Sequence, residues 1–244
     1  RLTAPKYRSP ENVMLEIKEL VDTYGMKEIA FWDDTFTLNK QRVLAMCKLL
    51  KEHKFGIVWS AHSRANLIDD ELVKAMKDAG CWKLFFGFES MLQKNLDTLK
   101  KGIRVEDHFR AVALCKKYGI ETECSFIFGI PGETYEDALE TMRLINELNP
   151  DYMKCFSMTP MPGTELWEKA DEYGELNRDL TKFSIGRAVF VPKSMKREEL
   201  EKLVSMAYKK FYLRPSYMFG YLKKMRSPTD ISRAWKGLRA VLAI

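Results

Sequence analysis

Several features are absent or scarce in the sequence, and the absences exclude classes of protein. No uninterrupted apolar run approaches the ~18 residues of a membrane-spanning helix. No two of the five cysteines, at 47, 81, 115, 124 and 155, are closer than nine residues. That spacing excludes a local CxxC metal knuckle and argues against a secreted disulfide scaffold, so a reducing, cytoplasmic setting is expected. The chain opens at Arg1 on Leu2-Thr3-Ala4-Pro5, without an initiator methionine or signal peptide, and reads as an excerpt of something longer. With only three histidines, no Ser/His/Asp or paired-carboxylate constellation stands out.

What is present is ordinary globular material: 244 residues, 46% apolar and 30% charged. A chain of this size can bury a core without covalent staples. The net charge of +6 is unevenly placed. Residues 202–244 hold ten Lys/Arg against Asp230 alone, a local +9, which leaves −3 for residues 1–201. Such a tail speaks to partners and solubility rather than to fold.

The pattern alternates helix and strand. Ser9-Pro10-Glu11-Asn12 has the form of a helix N-cap followed by proline, and Gly25 suits a left-handed helix end. Asn39 and Asp69 are further caps, and Thr134 to Asp137 is a capping box for a helix reaching Leu148. A further helix is expected from Val105 to Tyr118. Apolar strands are expected to begin near 28, 57, 83, 123 and 152, with one more from Phe183 to Val191. After that, Ser194 is expected to cap a helix, Pro215 to interrupt it, and Ser227-Pro228 to begin the last one. Apolar strands separated by amphipathic helices indicate an α/β fold of parallel strands with helices outside. Polar residues gather where strands end: Asp33, Asp34, Ser63, Arg64, Glu89, Ser90 and Gly132. In such folds ligands sit at the carboxyl ends of the strands.

Seven motifs then occur in order: Arg8-Ser9-Pro10-Glu11-Asn12-Val13, Phe31-Trp32-Asp33-Asp34-Thr35-Phe36, Ser63-Arg64, Ala79-Gly80-Cys81, Phe86-Gly87-Phe88-Glu89-Ser90, Phe126 to Thr134 (FIFGIPGET), and Thr159-Pro160-Met161-Pro162-Gly163-Thr164. Together they resemble the radical S-adenosylmethionine (SAM) core, over residues 1 to 190. The similarity is greatest to the subgroup with a cobalamin-binding domain, such as the anaerobic magnesium-protoporphyrin monomethyl ester cyclase-like enzymes. The resemblance implies a partial (β/α)6 TIM-like barrel, here lacking its first strand, over residues 1–191, with a basic helical extension over 192–244. It also implies SAM, a [4Fe–4S] cluster on a CxxxCxxC loop, and cobalamin as cofactors. This chain has no such loop, so the cluster ligands are expected upstream of Arg1, no metal ligand is assigned here, and the chain alone is expected to be inactive.

By the same resemblance, Asp33 and Asp34 occupy the motif that meets the SAM amine; the competing reading is an acidic turn. Ser60 and Arg64 flank the next strand end, where a guanidinium suits a carboxylate or a ribose. The alternative for Arg64 is an ion pair with Asp69 or Asp70. Glu89 ends an aromatic strand, and a carboxylate there needs a partner. In the family a polar residue at this position contacts SAM; otherwise Glu89 forms a structural ion pair. Lys101 matches a basic residue that meets the SAM carboxylate, against a solvated helix-end lysine. Ser125, Ile127 and Gly129 carry the strand whose backbone lines the adenine edge. Glu133 is displaced from the family's glutamate position and is expected only to support the Thr134 cap. The cysteines are expected to be small buried hydrophobes, with Cys124 and Cys155 able to face the barrel interior. His53 and His108 are expected on helix surfaces, and His62 at a strand end.

The expected reaction is generation of a 5′-deoxyadenosyl radical for methyl transfer or cyclisation on a small organic substrate, with an external reductant for the cluster. No catalytic residue is identifiable. The competing functions are a clusterless SAM- or nucleotide-binding module and a tRNA-modifying radical SAM enzyme. The basic tail is expected to be a helical cap with a solvated face, or a contact for a membrane surface or another domain; nucleic acid is not an expected partner.

Overall fold

The computed structural model describes residues 5–183, 188–225 and 228–243. Local chemistry starts the helices where the sequence indicates. The Ser9 hydroxyl accepts from the Asn12 amide, Pro10 takes the first turn, and Gly25 closes α1 (Pro10–Tyr24) in the left-handed region. After β1 (Glu28–Phe31), the Asn39 side chain accepts from the Arg42 amide to open α2 (Lys40–His53). Following β2 (Val58–Ser63), Asp69 does the same for Leu72 at α3 (Asp70–Asp78). Next come β3 (Cys81–Glu89), the short α4 (Gln93–Thr98), α5 (Val105–Tyr118) and β4 (Glu121–Phe128). A complete Thr134/Asp137 capping box opens α6 (Tyr135–Leu148), and β5 (Tyr152–Ser157) follows. The chain then makes α7 (Glu165–Glu168), α8 (Ala170–Tyr173), β6 (Gly174–Leu176) and β7 (Phe190–Pro192). It ends in α9 (Arg197–Tyr212), α10 (Pro215–Lys224) and α11 (Pro228–Ala243).

Five strands form one sheet in the order β1-β2-β3-β4-β5, with the β1/β2 and β2/β3 pairs parallel. This is the α/β arrangement expected from the alternating pattern. The chain divides into two compact units, Arg1–Gly87 with Glu106–Cys124, and Phe88–Val105 with Ser125–Ile244.

In the first unit, α1 packs on α2 and α2 on α3. Val43, Met46, Leu72, Val73 and Met76 are fully or almost fully buried. Trp59 is completely buried, and its indole N–H donates to the Ala79 carbonyl at 2.7 Å. A buried indole needs such a partner.

In the second unit, α9 packs against β5 and α6 through Leu200, Leu203, Val204, Ala207 and Phe211. The backbone of β5 is satisfied by tyrosines. Tyr212 donates its hydroxyl to the Met153 carbonyl at 2.7 Å and accepts from the Met153 amide at 2.9 Å. The Cys155 amide donates to Tyr208, and Tyr217 donates to the Asp151 carbonyl. These side chains block β5 against pairing with a further strand, which is one way proteins protect a sheet edge.

Several expectations change. Of the segment 183–191, where one more strand is expected, Phe190 and Val191 belong to β7. Residues 184–187 lie outside the described residues, and β7 pairs antiparallel with β6 in a separate two-stranded sheet. Ser194 does not cap α9: its hydroxyl donates to the Glu133 carbonyl at 2.6 Å, and the Glu199 carboxylate accepts from the Lys196 amide at the helix start. Pro215 follows the end of α9 at Tyr212, as expected of an interruption, and also begins α10, as its preset φ allows at a first helical position. Ser227 lies outside the described residues. His108 is fully buried instead of lying on the helix surface. Cys155 is buried under α9, with its thiol 3.7 Å from the Val204 carbonyl, and so faces the helix layer.

Candidate functional site

The strands bury alternate residues. Trp59 and Ala61 on β2, Leu84, Phe86 and Phe88 on β3, and Phe126 and Phe128 on β4 are buried. Residues of the opposite parity, including Ala30, Val58, Ser125 and Ile127, are more open. Side chains alternate across a strand, so Ser60, Glu89, Ser125 and Ile127 all have the open parity.

In the first unit, the loop after β1 carries Asp33 and Asp34, both exposed. It is anchored by aromatic packing: the Phe31 and Phe36 rings stack at 4.7 Å, and Trp59 lies 5.5 Å from one and 5.6 Å from the other. The buried Thr37 and Ser63 hydroxyls are 2.8 Å apart, which ties this loop to the end of β2. Ser60 is buried on β2, between Ala30 of β1 and Lys83 of β3 in register. Arg64 is half-buried just beyond β2. Both carboxylates suggested as its local partners are engaged by other groups, Asp69 by Lys40 at 2.6 Å, and Asp70 by Lys117 and Tyr118. On the open parity, Trp32 (80% exposed), His62 and Phe85 form a ring ladder, with centroids 5.2 Å and 4.9 Å apart. Beneath it Lys83 pairs with Glu123 at 2.6 Å, the two side chains 13% and 11% exposed.

In the second unit, Glu89 and Lys101 come together. The Lys101 ammonium donates to the Glu89 carboxylate at 2.7 Å, with side-chain exposures of 23% and 18%. Twelve residues apart, they are joined because the chain returns through α4. Glu89 has φ +64°, the left-handed region. For a non-glycine residue that backbone costs about 1–2 kcal/mol, and such strain concentrates at functional sites. The arrangement satisfies the ion-pair reading and also presents an acid and a base together at a strand end. A carboxylate here can accept from an ammonium group, and an ammonium can bind a carboxylate.

Ser90, next to Glu89 in the chain, joins a buried polar network centred on Glu133. One carboxylate oxygen accepts from the Gly129 amide at 2.6 Å and the Ile130 amide at 3.3 Å. The other accepts from the Asn95 amide group at 2.9 Å, and Asn95 also donates to the Ser90 hydroxyl at 3.0 Å. Glu133 therefore links the end of β3 to the end of β4. Burial, working against its backbone hydrogen bonds, raises the Glu133 pKa to about 7. Asp137 is the residue that makes the Thr134 capping box, so the expectation that Glu133 only supports that cap is corrected. Gly129 itself has φ +82°, and a Cβ there would lie 3.0 Å from Leu200 Cδ2. Only glycine fits on both counts.

Sequence reasoning missed Asn95, the full role of Glu133, the Thr37–Ser63 contact and the Lys83–Glu123 pair. The only available signal was the polar residues themselves, set inside apolar segments.

A [4Fe–4S] cluster requires thiolates. All five cysteines are buried and stand on separate elements. Burial pushes the Cys47 and Cys155 thiols up to about 12 and raises Cys81 as well. Among the described residues no group of His, Cys, Asp and Glu is arranged to hold a metal ion. These cysteines do not fit the cluster. Glu89 and Lys101, in contrast, suit the amino and carboxylate groups of SAM.

The profile of the radical SAM superfamily matches residues 1–145. An uncharacterized methyltransferase of Pyrococcus horikoshii is 38% identical over 211 residues, which is 86% of this chain and 46% of that protein. The anaerobic magnesium-protoporphyrin IX monomethyl ester cyclase of Rubrivivax gelatinosus is 28% identical over 215 residues, 87% of this chain and 39% of that protein. The chain thus spans less than half the length of either relative. Among solved structures, the radical SAM methyltransferase TsrM of Kitasatospora setae, with cobalamin and a [4Fe–4S] cluster bound, superposes with a TM-score of 0.62 at 20% identity. That superposition covers 80% of this chain and 40% of TsrM, and shares the fold.

Proposed function

Because this chain belongs to the radical SAM superfamily, we propose that it is the SAM-binding part of an enzyme performing cobalamin-dependent methyl transfer or cyclisation on a small organic substrate. The cluster cysteines are then supplied by sequence outside this chain. When bound, SAM and the cluster supply a 5′-deoxyadenosyl radical, and cobalamin a transferable methyl group.

The observation that carries the proposal is Glu89, held in a left-handed conformation at the end of β3 with its carboxylate against Lys101. In this reading Glu89 accepts from the SAM ammonium and Lys101 donates to the SAM carboxylate. Ser125, Ile127 and Gly129 line the adenine edge, where the Glu133 network holds the Gly129 backbone in place. Preorganised groups of this kind keep the reacting atoms in position. The TsrM superposition and the cyclase similarity support a cobalamin-using subgroup, and the tail from residue 192 is then an extension to the core.

The test uses the complete polypeptide, loaded anaerobically with iron and sulfide. Dithionite should yield 5′-deoxyadenosine from SAM, and Glu89→Gln should weaken SAM binding at least tenfold while leaving cluster absorbance unchanged. A loaded protein that neither binds SAM nor yields 5′-deoxyadenosine would overturn the proposal. Normal SAM affinity in Glu89→Gln would remove Glu89 from the site.

A further inference from the structure

The C-terminal helices carry a surface that SAM binding does not use. On α10 and α11, Phe219, Leu222, Ile231, Trp235 and Leu242 are each more than half exposed. Ile231, Trp235 and Leu242 recur at i, i+4 and i+11, a single stripe on α11. Beside this surface Met218, Leu222, Ile231, Trp235 and Leu238 help line an apolar cavity of about 760 Å³. Cations accompany the exposed rings: Lys223 Nζ lies 4.4 Å from the Phe219 centroid, and the Arg239 guanidinium 5.4 Å from Trp235. Residues 202–244 as a whole are +9.

We infer that α10 and α11 form a docking surface for an anionic lipid bilayer. Exposed apolar side chains on amphipathic helices, bordered by Lys and Arg, are what an interfacial helix presents to headgroups and acyl chains. Charge complementarity selects anionic lipid, because each basic residue near such a surface is attracted within a Debye length. The helices lie on the bilayer and do not cross it: among the described residues no helix is long and apolar enough to span. Leu222, Ile231 and Leu242 favour acyl chains over nucleic acid, since aliphatic side chains cannot stack on bases. The tyrosines closest to β5 serve its backbone, and Leu222, Ile231 and Trp235 also line the cavity, so the docking surface runs from the cavity mouth over the exposed side chains of the two helices.

The test is vesicle flotation, at low salt, of the complete polypeptide that contains this chain. Vesicles of phosphatidylcholine with one quarter phosphatidylglycerol should carry the chain at least tenfold more strongly than pure phosphatidylcholine, and 0.5 M salt should reduce that binding. The double variant Phe219→Ser/Trp235→Ser alters two exposed side chains, so its thermal midpoint should match the parent while its vesicle binding falls at least tenfold. Because Trp235 also lines the cavity, Lys223→Glu/Arg239→Glu provides a second variant with the same expected loss. Failure to float, equal binding to neutral vesicles, or full binding by both variants would overturn the inference. So would preferential binding of a single-stranded RNA 20-mer in competition with the anionic vesicles.

Discussion

Glutamine in place of Glu133 keeps the side chain's shape and removes its charge. Burial dominates the environment of this carboxylate and raises its pKa from 4.5 to about 7, against the opposing pull of the Gly129 and Ile130 amides and Asn95. In the unfolded chain the group loses its proton near its ordinary value. Between pH 4.5 and about 7 the folded state therefore holds a proton that the unfolded state has released. Stability must fall as pH rises through that window and level off above it. A raise of this size corresponds to a loss of about 3 kcal/mol at roughly 1.4 kcal/mol per unit. Urea unfolding of the parent and Glu133→Gln, measured from pH 4.5 to pH 8, isolates the effect, because other titrating groups cancel in the difference. The parent should lose about 3 kcal/mol more than the variant across the window. Equal pH slopes would refute the claim that this carboxylate is destabilised by burial. Glu133→Ala should be worse at every pH, by about 3–5 kcal/mol, since it leaves the Gly129, Ile130 and Asn95 donors without an acceptor.

Gly129→Ala should cost about 2–4 kcal/mol from left-handed strain and overpacking against Leu200. In a Leu200→Ala background only the strain should remain, so a double-mutant cycle with zero coupling would contradict the close approach. Tyr212→Phe removes a donor and an acceptor from Met153, with an expected loss of about 1–3 kcal/mol. Amide hydrogen exchange at Met153 should accelerate in that variant; unchanged protection would mean the hydroxyl does not hold the β5 edge.

The helices and strands were legible wherever one local interaction decides them. Ser9, Asn39, Asp69 and Thr134 each accept from an amide three residues ahead, and those caps are written in consecutive residues. β5 spans Tyr152–Ser157 as expected, because Asn149-Pro150 stops the preceding helix and an apolar run follows. Ser194 misled for a related reason: a serine before a helical pattern looks like a cap, but its hydroxyl was committed to the Glu133 carbonyl far back in the chain. The segment Phe183 to Val191 reads as one more strand, and its end forms β7, but its pairing with β6 was not legible, since strand propensity does not specify a partner.

The sequence by itself determined the order of helices and strands, the basic tail and the strand-end positions of Glu89 and Gly129, because periodicity and capping are properties of neighbours. Tertiary structure alone decided that Glu89 meets Lys101, that Glu133 closes on the Gly129 amide, and that tyrosine hydroxyls seal β5. Asn95 and Glu133 stand 38 positions apart, and Tyr212 and Met153 stand 59 apart. A polar contact over such separations leaves no period in the sequence, and it forms only once burial has removed the competing water.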